Sequence, residues 1–124
     1  MRLLLDTHVV LWWLTSSPDL PEPVREAIGA EDLAFVSVAS VWEAGLKQSL
    51  GKLPAPQNVA ARIAESGFQV APITAAHAIE ASDLPWHHRD PFDRIIIAQA
   101  RVEGLTLVTQ DRFMAKYDVP LLSV

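Results

Sequence analysis

Carboxylates are the groups in this chain whose placement asks for chemistry, and Asp93 is the clearest case. It stands in His87-His88-Arg89-Asp90-Pro91-Phe92-Asp93-Arg94-Ile95-Ile96-Ile97-Ala98-Gln99-Ala100. Asp90 is a candidate helix N-cap, Pro91 suits the first helical position, and Asp93 falls three residues past the cap. The helix that follows is apolar nearly all round, through Phe92, Ile95, Ile96, Ile97, Ala98, Ala100 and Val102, so its first turn is expected inside the protein. Asp93 shares a row with Ile97 and Ala100. A carboxylate placed there requires a partner, and a metal ion or a cation is the usual one. An acid in the first turn also stabilises the helix dipole by roughly 0.3–1 kcal/mol, which accounts for most such residues without any site.

Other acids decide between these readings. Asp6-Thr7 ends the apolar run Arg2-Leu3-Leu4-Leu5, the pattern of a buried strand whose last residue emerges at the C-terminal edge of a sheet. In open α/β sheets, ligands bind beyond that edge. Asp6 equally suits a helix cap, since Val9-Val10-Leu11-Trp12-Trp13-Leu14 follows as a helix, and the two roles are compatible. Asp111 follows the run Leu105-Thr106-Leu107-Val108-Thr109 in the same way. Glu43 falls on a helix expected over 39–50, where Val38, Val41, Trp42 and Leu46 line one face and Ser40, Glu43 and Lys47 the neighbouring one. Taken alone, Glu43 is explained by an i,i+4 pair with Lys47.

The elements that must position these acids alternate along the chain. Strands are expected over 2–5, 33–38, 68–73 and 105–109, and the tail 119–124 offers an edge strand because proline is tolerated at a strand's beginning. Helices are expected over 9–14, 24–30, 39–50 (stopped by Gly51) and 57–65, then in a short segment capped by Thr74, and in the central helix stopped by Gly104. Pro-rich connections fill 16–23 and 53–56. His77, on the short helix, has no companion at ligand spacing and reads as a packed or surface histidine. This alternation predicts an α/β fold, a three-layer α/β/α sandwich with a mostly parallel central sheet, in a single domain spanning 1–124.

Composition bounds the chemistry. The chain has 124 residues, half of them hydrophobic, which fits one compact core. It has no cysteine, which excludes disulfides, thiolate catalysis and cysteine-ligated zinc and suits a reducing cytoplasm. Asp6 and His8 interrupt the apolar start before a signal peptide forms, and Val9 to Leu14 is too short to span a bilayer, so a soluble cytoplasmic protein with no membrane partner is expected. The net charge of -5 argues against a strong non-specific nucleic-acid binder. It argues less against a nuclease whose acids are neutralised by bound divalent ions.

In such a sheet Asp6 and Asp111 lie beyond the same edge, and the helices bearing Glu43 and Asp93 follow strands or loops that reach it. Convergent carboxylates repel one another, and hard divalent cations relieve that repulsion. With oxygen ligands only, Mg²⁺ or Mn²⁺ is the natural choice. Such a cluster suits phosphodiester hydrolysis.

Leu4-Leu5-Asp6-Thr7-His8, Ser37-Val38-Ala39-Ser40-Val41-Trp42-Glu43, the segment from His88 to Ala100, and Leu107-Val108-Thr109-Gln110-Asp111 together resemble the PIN-domain family, in particular the VapC toxins of type II toxin–antitoxin systems. The resemblance covers essentially the whole chain, in order. It implies a ribonuclease that needs Mg²⁺ or Mn²⁺, with Asp6 and Asp93 as principal metal ligands, Glu43 completing the site and Asp111 a fourth acid. Thr109 matches the hydroxyl residue that accompanies that acid. Asp90 matches an extra acid of the Asp-Pro-Phe-Asp-Arg subgroup, although capping already accounts for it. A homodimer and a cognate VapB-like antitoxin are also implied, the antitoxin placing a basic side chain among the acids. Trp12, Trp13 and Trp42 are candidates for such interfaces, with core packing the expected account of one or two of them. His87, His88, Arg89, Arg94, Arg112 and Lys116 flank the expected cleft, and Arg94 and Arg112 are the first candidates to meet RNA phosphates.

Two other readings stay open at this level. A phospho-aspartate receiver or phosphatase domain also places an aspartate after its first strand, but the phosphatase signature asks for a second aspartate where His8 stands. A non-catalytic α/β binding module would use the acids only as caps.

Overall fold

The computed structural model describes residues 2–30, 34–52 and 58–124. Leu33 of the expected second strand, Gln57 of an expected helix and the break at 53–56 lie outside these residues. Five short strands, β1 (Leu3–Leu5), β2 (Ala34–Ser37), β3 (Gln69–Ala71), β4 (Thr106–Thr109) and β5 (Leu121–Ser123), form one sheet in the order β3-β2-β1-β4-β5. Every pairing is parallel, with Leu4 opposite Phe35 on one side and Leu107 on the other. The tail does add an edge strand, and it runs parallel to β4. The helices are α1 (Thr7–Leu14), α2 (Glu22–Ala30), α3 (Val38–Ser49), α4 (Val59–Ala64), α5 (Ala75–Asp83) and α6 (Pro91–Glu103), with a 3₁₀ turn at Met114–Lys116.

Alternation along the strands sorts the core into two layers. Leu3, Leu5, Val36 and Val108 face a cluster containing Val9 and Val10 of α1, Val24 and Ile28 of α2, Ala44 of α3 and Val59 and Ile63 of α4. Leu4 and Leu107 face the opposite cluster, with Ile96, Ile97 and Ala100 of α6, Leu84, Met114 and Tyr117. Helices therefore cover both faces, as the continuous apolar character of the inner strands requires.

Several boundaries moved from their expected places for local reasons. Helix α3 starts at Val38, because the buried Ser37 hydroxyl accepts the Ala39 N–H at 2.9 Å and caps it. The third strand is shorter than 68–73, as expected of an edge strand whose Gln69 and Val70 are exposed. Gly104 adopts φ +67° at the end of α6, a left-handed cap conformation that favours glycine. Trp13 packs edge-on to Phe68 at 5.6 Å beside the first cluster, so it serves the core. Trp42 is 64% exposed and stands edge-on to Phe92 at 5.0 Å. No helix among the described residues is long and apolar enough to cross a membrane.

Candidate active site

The strand order places β1 beside β4 at the point where the chain's direction of travel across the sheet reverses, and the crevice at such a point is where open parallel sheets hold ligands. Asp6 leaves β1 there and Asp111 follows β4. Asp6 stands at the N-cap position of α1, where its side chain makes no capping bond further into the helix although the Thr7 backbone N–H acts on its carboxylate. Its Oδ2 accepts from the Thr109 hydroxyl at 2.8 Å, and Thr109 Oγ1 in turn accepts the Asp111 backbone N–H at 3.0 Å. One hydroxyl thus ties the ends of both central strands. Burial raises the Asp6 carboxyl above its ordinary 3.8, against the hydrogen bond from Thr109, which pulls it down.

Glu43 is buried at 3% exposure, one turn into α3. Its Oε2 pairs with Lys47 Nζ at 2.7 Å, the expected i,i+4 contact, and its Oε1 accepts the Thr7 hydroxyl at 2.7 Å. Thr7 also lies 2.9 Å from Ser40 Oγ. Nothing in the local pattern singles out Thr7, since a threonine opening a helix reads as filler. Its position next to Asp6 on the chain lets it join α1 to Glu43. The Glu43 hydrogen bond raises Lys47, and the charges of Asp90 and Asp93 add to the shift, so this ammonium faces several acids.

Asp90 caps α6 as expected, its Oδ1 accepting from Phe92 N at 2.8 Å and Asp93 N at 3.1 Å, with Pro91 in the first position. Asp93 lies in the first turn, half-buried. Its carboxyl is pushed up to about 8, first by burial and then by the like charges of Asp6, Asp90, Glu43 and Asp111. The other sequence-derived acids therefore all act electrostatically on Asp93. Closest together are Asp93, Asp111 and His88, which offer ligand atoms within 4.8 Å of one another. His88 Nε2 lies 2.9 Å from Asp111 Oδ2 and 2.9 Å from Asp93 Oδ2. The sequence placed His88 on the rim of a cleft, for phosphates; the structure places it among the acids. Its partners are five and twenty-three residues away, at no recognisable ligand spacing.

Arg94 requires a correction. It is 5% exposed, and its guanidinium donates to the carbonyls of Ala81, Leu84, Pro85 and His88 at 2.7–3.1 Å while stacking on Trp86 at 3.8 Å. A guanidinium with its donors committed to buried carbonyls is part of the scaffold and does not meet phosphates. Arg112 is exposed beside Asp111, Arg89 is exposed, and Lys116 stands over the Phe113 ring at 5.1 Å. His87 packs edge-on to Tyr117 at 5.2 Å.

The family model for the PIN domain matches residues 3–120. The chain belongs to the PIN-domain family. This PIN domain is 32% identical over 126 residues to Ribonuclease VapC22 of Mycobacterium tuberculosis, an alignment covering 95% of this chain and 93% of that protein. Among solved structures it superimposes on the DNA-bound VapBC of Salmonella typhimurium with a TM-score of 0.75 at 19% identity, over 99% of this chain and 98% of that one. It likewise matches a toxin–antitoxin complex from Klebsiella pneumoniae with a TM-score of 0.72 at 18% identity, over 98% and 97% of the two chains. At those identities the structures bear on the fold of the PIN domain alone.

The donor set of this PIN domain fits a hard divalent cation. Asp6, Glu43, Asp93 and Asp111 supply oxygen only, and the raised Asp93 carboxyl reflects its burial and, after that, the like charges around it.

Proposed function

We propose that this PIN domain is a divalent-cation-dependent endoribonuclease, the toxin of a toxin–antitoxin pair acting in the cytoplasm. The observation that carries the reading is the gathering of Asp6, Glu43, Asp90 and Asp111 about the half-buried Asp93, whose carboxyl is lifted to about 8 by burial first and by these like charges second. A stable fold gains nothing from such crowding, and a bound cation relieves it. Asp6 and Asp93 would be the principal ligands of Mg²⁺ or Mn²⁺, with Glu43 and Asp111 completing the set. When bound, the cation supplies activation of the attacking water and stabilisation of the departing oxygen.

The protein's own groups keep the acids in place. Thr109 holds Asp6, Thr7 and Lys47 hold Glu43, and the cap at Asp90 fixes the first turn that carries Asp93. Arg112, Arg89 and Lys116 are the exposed cations near the cleft and would meet RNA phosphates. The name of the ribonuclease relative supports RNA as the substrate, and the toxin–antitoxin complex among the structural neighbours supports an antitoxin partner. For a homodimer or an antitoxin contact, the apolar groove of about 250 Å³ lined by Ala39, Trp42, Ile73, Phe92 and Ile95 is the surface we assign.

Cleavage of end-labelled RNA with Mg²⁺, Mn²⁺ or EDTA, beside Asp6→Asn and Asp93→Asn, tests the proposal. Metal-dependent cuts that vanish in both variants are expected. Cleavage surviving in either variant, or in EDTA, overturns it.

A further inference from the structure

Among the described residues, His88 is the imidazole that offers a ligand atom beside Asp93 and Asp111, and its other ring nitrogen decides what it does there. Nδ1 accepts the backbone N–H of Asp90 at 3.2 Å. A nitrogen that accepts a hydrogen bond carries no proton, so the proton of the neutral ring is on Nε2. Nε2 is the atom that faces Asp111 and Asp93. A metal-bound imidazole has the opposite arrangement, with its bare nitrogen on the cation and its other N–H donating outward.

The surroundings hold this arrangement. The His88 backbone N–H donates to Tyr117 Oη at 2.9 Å, its carbonyl accepts from Arg94 at 3.1 Å, and its ring lies edge-on to Phe113 at 5.7 Å. Tyr117 is itself fixed by donating to the Pro85 carbonyl at 2.6 Å. These bonds fix the His88 backbone, and the contacts to Asp90, Asp111 and Phe113 set the ring's orientation. Nε2 engages one oxygen of Asp111 and stands against one of Asp93. The opposite Asp111 oxygen accepts from Phe113 N at 2.8 Å, so this carboxylate is held from both sides.

Building on the proposed cation site, we propose that His88 is a positioning residue: an Nε2–H donor that orients Asp111, beside Asp93, toward a divalent cation and is not itself a ligand. The four acids then present an all-oxygen set.

Three measurements test this. In the metal-free protein, ¹⁵N shifts of the His88 ring are expected to show a bare Nδ1 and a protonated Nε2; the reverse assignment overturns the proposal. Calorimetric titration with Mn²⁺ is expected to show roughly tenfold weaker binding in His88→Ala. His88→Gln, whose amide N–H reaches the place of Nε2, is expected to recover most of that loss. Unchanged binding in His88→Ala, or binding in His88→Gln as weak as in His88→Ala with both variants folded by circular dichroism, overturns the positioning role. Electron spin-echo spectra of the Mn²⁺-loaded protein are expected to show no directly bound nitrogen, and a bound His88 nitrogen overturns the proposal while leaving the nuclease reading intact. Failure of the wild-type protein to bind Mn²⁺ at all overturns both.

Discussion

Two histidines in this protein use the same local device in different surroundings. His77 Nδ1 accepts the Thr74 N–H at 2.9 Å and its Nε2 meets Glu103 Oε1 at 2.8 Å, while Thr74 returns a capping bond to His77. His88 repeats the pattern on Asp90 and meets two carboxylates. The difference lies in what surrounds the carboxylates. Glu103 is half-exposed, and His77 is a buried side chain that completes the cap of α5. Asp93 stands among four like charges under partial burial, so its neighbour His88 belongs to a site. An imidazole–carboxylate contact is therefore no mark of function by itself; the unbalanced charge behind it is.

The largest effect separating the two places is expected from Asp93→Asn, which should reduce metal-dependent RNA cleavage to the level of the EDTA control while leaving the circular dichroism spectrum unchanged. The same variant changes the pH response. A carboxyl raised from 3.8 to about 8 binds its proton more tightly in the folded chain than in the unfolded one. Stability of the metal-free protein is thus undiminished by this group below about pH 3.8, falls as pH rises, and is lowest above about pH 8. Thermal melts across that window in EDTA should show the decline in the wild type and a flatter profile in Asp93→Asn.

Arg94→Met comes next. It strips buried carbonyls, including that of His88, of their donor, and should cost about 3 kcal/mol in urea unfolding. It should also weaken Mn²⁺ binding, since His88 loses an anchor. His77→Ala is expected to cost roughly 1–2 kcal/mol, the value of a lost cap, with Mn²⁺ affinity unchanged. A drop in affinity there would erase the distinction drawn between the histidines. Asp90→Asn should be smallest, within about 0.5 kcal/mol, because asparagine caps as well as aspartate. Its measurable consequence is a lower Asp93 value in a carboxyl NMR titration, since one of the charges raising it is gone.

Much of this is legible in the chain itself. The apolar runs ending in Asp6 and near Asp111, and the Asp90-Pro91 start of an all-round apolar helix, state the sheet edge and the buried first turn through local chemistry alone. Arg94 was misread because sequence adjacency to Asp93 suggests a shared cleft, whereas consecutive helical residues point about 100° apart. Its acceptors belong to the end of α5 and the connection that follows it, and no pattern announces that their carbonyls converge. Thr7 and His88 were undervalued for a similar reason: their partners come from other elements, and only the packed sheet brings them within reach.

The hydroxyl bond between Thr109 and Asp6 joins residues 103 positions apart. β1 has β2 on one flank and β4 on the other, so during synthesis its second flank stays unpaired until residues 106–109 have left the ribosome. Loops of that length close slowly and late. The acids at the crevice accordingly remain dispersed on a growing chain until the fourth strand docks.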